Sequence, residues 1–192
     1  FATYKGVGGK FDIEKERFLL VSQHPVTTEF GENRKAVEEI LYALHELAMP
    51  TIMLWPNADA GSDEISKGIR SFREKYQPEW LHLFTNLPFE VYMHLMSLTA
   101  CIIGNSSSAV REGSYIGTPA VDVGSRQQNR VKGANVLEAP PARGAIGAAI
   151  RHQVAKGRYT SEPLYGDGTA GQRVAAILAE NKLPTVQKVI NY

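Results

Sequence analysis

The chain has 192 residues, of which 43% are hydrophobic, and 21 Lys plus Arg stand against 20 Asp plus Glu for a formal net charge of +1. That length suits one domain with a full core, and the balanced charge offers no broad field to attract nucleic acid, so a bound anion has to be met by local groups. No apolar run approaches the roughly 20 residues that span a bilayer, and a single cysteine, Cys101, excludes a disulfide within the chain or a cysteine-cluster zinc site and suits a cytoplasmic setting.

Residues Phe1 to Lys10 mix glycines with basic residues and show no periodicity, which predicts a linker from a preceding part of a longer chain. Phe18 to Ser22 predicts a strand, and Arg34 to Ala48 a helix, with Val37, Ile40, Leu41, Leu44 and Leu47 at helical spacing. Pro50 ends that helix. Thr51 to Trp55 predicts the second strand, and a turn through Pro56 to Ser62 leads to a helix over Asp63 to Tyr76. Trp80 to Phe84 follows as a strand, Pro88 opens a helix to Leu98, and Cys101 to Ile103 makes a fourth strand. A short helix from Ala109 to Tyr115, strands at Pro119 to Val123 and Asn135 to Glu138, and helices over Ala142 to Ala155 and Ala170 to Glu180 complete the chain. Strands alternating with helices predict an α/β fold with a doubly wound, Rossmann-like parallel sheet covered on both faces.

In such a sheet, ligands gather outside the carboxyl ends of the strands. The turns expected on that edge are Gln23 to Thr28, Trp55-Pro56-Asn57, Leu87-Pro88, Gly104 to Ser108 and Gly124-Ser125-Arg126. The segment from Cys101 to Val123 is the most specific. Small residues from Gly104 to Ser108 let the backbone bend and aim N–H groups and hydroxyls at one point ahead of a helix. Six residues after Ser106 stands Glu112, a carboxylate able to accept from ribose hydroxyls. Taken singly, a serine turn caps a helix without a ligand, Glu112 is a solvated carboxylate, His24 a packing histidine and Arg126 a surface charge. Together on one edge they supply a phosphate cradle, a cation and a sugar acceptor, which suggests a nucleotide. Asp167-Gly168, before the last helix, reads as a capping turn.

The segments Gln23 to Thr28, Pro56 to Ser62, Gly104 to Ser107, Val110 to Glu112, Gly117 to Pro119, Gly124 to Arg126 and Tyr165 to Gly168 resemble, in order and spacing, the UDP-N-acetylglucosamine 2-epimerase family. The likeness is strongest to its hydrolysing branch, which forms N-acetylmannosamine for sialic acid and related sugars, and runs from about Arg17 to about Glu180. The resemblance implies a GT-B architecture in which this chain is the C-terminal half: residues 1–16 a linker, 17–182 a UDP-binding Rossmann-like domain and 183–192 a tail. It places Ser106 and Ser107 on the diphosphate, Glu112 on the ribose, Leu87 on the uracil through its backbone, Arg126 near the phosphates, and His24 and Asn57 facing the cleft.

The family's reaction eliminates UDP across C1 and C2 of the sugar and adds water to the resulting glycal with inversion at C2. The carboxylates that move the C2 proton come from the other half, so His24 is the candidate here for a direct chemical role, as a donor to the departing diphosphate. No metal or other cofactor is implied. The expected partners are UDP, UDP-N-acetylglucosamine, the missing N-terminal domain and further copies of the same chain, with no nucleic acid and no membrane. Human-type members are regulated through basic residues where this sequence has Asp63, Thr85 and Asn86, a departure that counts against such regulation. A GT-B glycosyltransferase domain, which would use the same cradle, and a non-catalytic binding module on this fold are the rival readings.

Overall fold

A computed structural model describes residues 6–10 and 12–180. Its centre is a seven-stranded sheet of β1 (Gly6–Gly8), β2 (Leu19–Ser22), β3 (Thr51–Leu54), β4 (Leu81–Phe84), β5 (Cys101–Gly104), β6 (Ala120–Val123) and β7 (Val136–Ala139). The spatial order is β1-β4-β3-β2-β5-β6-β7, with β2 to β7 parallel and β1 antiparallel on the edge. Counted from β2, the parallel strands therefore lie third, second, first, fourth, fifth, sixth, the doubly wound order in which the chain reverses direction across the sheet between β2 and β5. The helices are α1 (Asn33–Leu47), α2 (Ser62–Tyr76), α3 (Phe89–Leu98), α4 (Ser107–Val110), α5 (Glu112–Ile116), α6 (Arg143–Lys156) and α7 (Ala170–Glu180).

Alternation along each strand sorts the core into two layers. Leu19, Val21, Met53, Leu83, Cys101, Ile103, Val121 and Val123 face a cluster that Val37, Ile40, Leu41 and Leu44 of α1, Ile65 and Ile69 of α2, and Ile146 and Ile150 of α6 complete. Phe18, Leu20, Ile52, Ile102 and Ala120 face the other cluster, with Leu95 and Met96 of α3 and Ala109 of α4. Both faces of β2 and β5 are sealed, as the unbroken apolar runs in a parallel sheet demand. Cys101 lies wholly inside β5, and burial holds its thiol far above the usual range. The carboxyl end of α3 is held by Arg158, whose guanidinium donates to the carbonyls of Met96, Ser97 and Thr99 and to Thr118 Oγ1. Those carbonyls have no partner within the helix itself.

Two elements differ from the sequence reading. Gly6–Gly8, in the stretch expected as a linker, pairs with Phe84, Leu83 and His82 of β4. The helix expected over Ala109 to Tyr115 is two short helices broken at Arg111 (φ −88°, ψ −71°). Asn135 Nδ2 takes the Ala109 carbonyl (3.2 Å), which a continuous helix would give to the N–H of Gly113. The tail expected at 183–192 lies outside the described residues. Among those described, no helix is long and apolar enough to cross a membrane.

Candidate functional site

The reversal point puts the ends of β2 and β5 side by side, with Ser22 level with Gly104. Gly104 has φ +124°, and a Cβ there would collide with the Ser22 carbonyl oxygen, so only glycine lets the two strand ends approach this closely before the chain turns. Next, Asn105 (fully buried) ties the two loops together. Its Oδ1 accepts from the His24 N–H (2.8 Å) and its Nδ2 donates to the His24 carbonyl (2.8 Å), while its own N–H donates to the Ser22 carbonyl (3.2 Å). The Asn105 carbonyl accepts from Gln127 Nε2 (2.7 Å) and, at 3.5 Å, from a terminal nitrogen of Arg126. One residue, through its side chain and its backbone together, thus fixes His24, the serine turn and the loop after β6 relative to one another.

The serine turn is partly occupied by its own capping. Ser106 Oγ accepts from the Ser108 N–H (3.4 Å) and lies 2.8 Å from Ser108 Oγ, and Ser108 Oγ lies 2.7 Å from the Tyr92 hydroxyl. The N–H groups of Ser106 and Ser107 make no hydrogen bond to the described residues. With α4 only one turn long, the dipole of a full helix is not what the turn offers; its donors are two free N–H groups and two serine hydroxyls.

His24 is nearly enclosed, at 9% exposure. Its Nε2 faces Ser22 Oγ at 3.2 Å, and its Nδ1 is buried without a partner. Burial, reinforced by the Arg126 charge and opposed by Asp59, holds its pKa below the usual value, so the ring is neutral at physiological pH. Arg126 is exposed as a residue, with 32% of its side chain accessible, and lies 3.9 Å from Asp59 Oδ2. Arg126 and Asp59 line an open cleft of about 520 Å³ with Thr27, Thr28 and Ser125.

The structure therefore brings His24, Ser106, Ser107 and Arg126 to the same strand ends. Glu112, the first residue of α5, lies beyond the break in the helix and lines a separate hollow of about 290 Å³ with Met93, Tyr115 and Tyr165. Leu87 is buried against the α3 face, and its N–H is taken by Asn86 Oδ1 (2.9 Å), which leaves the carbonyl as its free backbone group. Asn57 is exposed in the loop after β3. Sequence reasoning gave no role to Asn105, Ser22, Tyr92 or Gln127. Asn105 stood inside the quoted motif, but its partner His24 is 81 residues away, and nothing local marks that pairing. Asp167 accepts from the N–H and hydroxyl of Thr169 and pairs with Arg173, the capping role expected of it. Among the described residues, no group of three or more His, Cys, Asp or Glu is placed to hold a metal ion.

The sequence profile of the family described as UDP-N-acetylglucosamine 2-epimerase matches residues 3–179. The chain belongs to that family. Among its 2-epimerase relatives, the UDP-N-acetylglucosamine 2-epimerase of Neisseria meningitidis is 27% identical over 171 residues, which is 88% of this chain and 44% of that protein. The UDP-N,N'-diacetylbacillosamine 2-epimerase (hydrolyzing) of Legionella pneumophila is 26% identical over 181 residues, 94% of this chain and 46% of the other. In fold, the chain is similar to the crystal structure of the Neisseria meningitidis UDP-GlcNAc 2-epimerase bound to UDP-GlcNAc, with a TM-score of 0.66 at 15% identity over 88% of this chain and 46% of that one. The Methanocaldococcus jannaschii 2-epimerase in complex with UDP-GlcNAc and UDP also matches at 0.66, with 14% identity over 86% and 45% of the two chains. The chain thus spans a little under half the length of these 2-epimerases, and its sheet is the α/β layer they share.

Proposed function

We propose that this chain is the UDP-binding half of a hydrolysing UDP-N-acetylglucosamine 2-epimerase, which converts UDP-N-acetylglucosamine and water to N-acetylmannosamine and UDP. The observation that carries the reading is the serine turn at the reversal point of the sheet. There, two free N–H groups and two hydroxyls lie beside the Arg126 guanidinium, a set of donors that matches a diphosphate. Family membership and a hydrolysing relative in Legionella pneumophila support the epimerase chemistry.

In this reading the turn and Arg126 hold the diphosphate as it leaves C1, where negative charge develops and fixed donors do most good. Glu112 accepts from the ribose, and the Leu87 carbonyl meets the uracil. His24, kept neutral, gives up its contact with Ser22 to donate one N–H to the departing phosphate oxygen. Asn57 lines the approach. The groups that remove and return the C2 proton come from the rest of the enzyme, so the 192-residue chain alone binds UDP without turnover.

The test is calorimetric titration of this chain and of the full-length protein with UDP, with AMP as control, followed by product analysis of the full-length protein given UDP-N-acetylglucosamine and no acceptor. Selective UDP binding with release of free N-acetylmannosamine is expected. UDP release only when an acceptor sugar is added would replace the epimerase reading by a glycosyltransferase.

A further inference from the structure

Tyr92 projects from α3, outside every motif of the site, yet its hydroxyl ends 2.7 Å from Ser108 Oγ, which lies 2.8 Å from Ser106 Oγ. We propose that Tyr92 is a positioning residue that sets, through Ser108, the direction in which the Ser106 hydroxyl presents its proton, and so the grip of the serine turn on a diphosphate. This inference rests on the diphosphate reading above.

The direction of the row follows from its protons. Three hydroxyls in a row have three protons for two internal hydrogen bonds, so one proton is left over, at either end if the row runs in one direction or on Ser108 if that oxygen accepts from both neighbours. If Tyr92 donates to Ser108, and Ser108 to Ser106, the spare proton is on Ser106 and points out of the turn. In either other arrangement Ser106 gives its proton inward and shows only lone pairs to the ligand, which repel an anion. A phenol is a far stronger acid than an alcohol and the better donor, so Tyr92 donates to Ser108. Among the described residues Ser108 Oγ has no acceptor for its own proton but Ser106 Oγ, so the outward direction is favoured before any ligand arrives. Ser106 Oγ already accepts the Ser108 N–H, which further fits it to donate its own proton outward.

The surroundings keep Tyr92 in the donor state. Burial pushes its phenol above the usual range, and the nearby Glu112 carboxylate acts in the same sense, against the hydroxyls of Ser108, Ser106 and Ser22. Ser22 in turn faces His24 Nε2 at 3.2 Å, so Tyr92 stands between the serine turn and the histidine. Ser22 shares the strand face of Leu20, the face that α3 covers, which is why a residue of α3 reaches both.

The experiment uses the full-length protein and compares UDP with uridine, the second read by its displacement of UDP. Tyr92→Phe keeps the ring and removes the donor. UDP affinity is expected to fall about fivefold to tenfold, the size of one hydrogen bond to a charged group, with uridine affinity unchanged because uridine has no phosphate. Ser108→Ala is expected to do the same, and the double variant to be no weaker than either single one, since both cut the same row. Wild-type UDP affinity in Tyr92→Phe, or equal losses for UDP and uridine, overturns the inference while leaving the UDP reading intact. A wild-type protein that binds no UDP removes the parent reading, and this one with it.

Discussion

At the scale of single residues, the site is assembled by Asn105 more than by the groups that face the cleft. Its amide satisfies both backbone groups of His24 and leaves the imidazole free to face Ser22. The burial that keeps His24 neutral gives a signed pH dependence. With its folded pKa below its unfolded value, the unfolded chain binds the extra proton first, so stability is fully present above about pH 6.5 and falls as the pH drops below it. His24→Gln is expected to flatten that part of the stability curve, as measured by urea unfolding from pH 5 to pH 8. Glu112, unbonded to the described residues and lining its own hollow, tests the ribose contact. Glu112→Ala should weaken UDP about tenfold and leave 2'-deoxy-UDP almost unaffected, a comparison readable by titration. The residue types of the candidate cradle were legible in the sequence because serines, a glycine and a carboxylate stand close along the chain. The clamp by Asn105 was not, because its partner is distant in sequence and close only through the pairing of β2 with β5.

At the scale of elements, short apolar runs and period-3.6 patterns placed the six parallel strands and the long helices to within a residue or two. The break between α4 and α5 was hidden because Ala109 to Tyr115 contains no Pro; it is imposed by Asn135, the residue before β7, on the Ala109 carbonyl. β1 was hidden because GVG has no alternation to read. Two elements carry predictions. Gly104→Ala forces a side chain into the Ser22 carbonyl at a positive φ, and should cost about 3 kcal/mol in urea unfolding. Arg158→Ala removes the donor to the Ser97 and Thr99 carbonyls at the end of α3 and leaves Met96 with Thr118 Oγ1 alone, and should cost about 2 kcal/mol. Lysine is expected to restore little of it, since one ammonium cannot span the fork that a guanidinium presents.

At the scale of the whole molecule, both faces of the central strands are sealed and the candidate site is confined to one edge, so the rigid part of the domain and the proposed binding part meet at β2 and β5. UDP bound at that edge should stabilise this chain by about 2.7 kcal/mol at a hundredfold excess over its Kd, measurable as a shift in the thermal midpoint. The doubly wound order itself was only implied by the sequence: alternation foretells a parallel sheet, but which strands become neighbours depends on how the helices pack over its faces. The same burial gives Cys101 a use of another kind. Its thiol sits in β5, three residues before Gly104, and reaches solvent only when the sheet opens. A thiol reagent added to the folded protein therefore acts as a clock on that opening, with a single hand and no engineered label. UDP should slow the clock if nucleotide and sheet are one cooperative unit, and leave it running at the same rate if the edge can empty and fill while the centre stays shut.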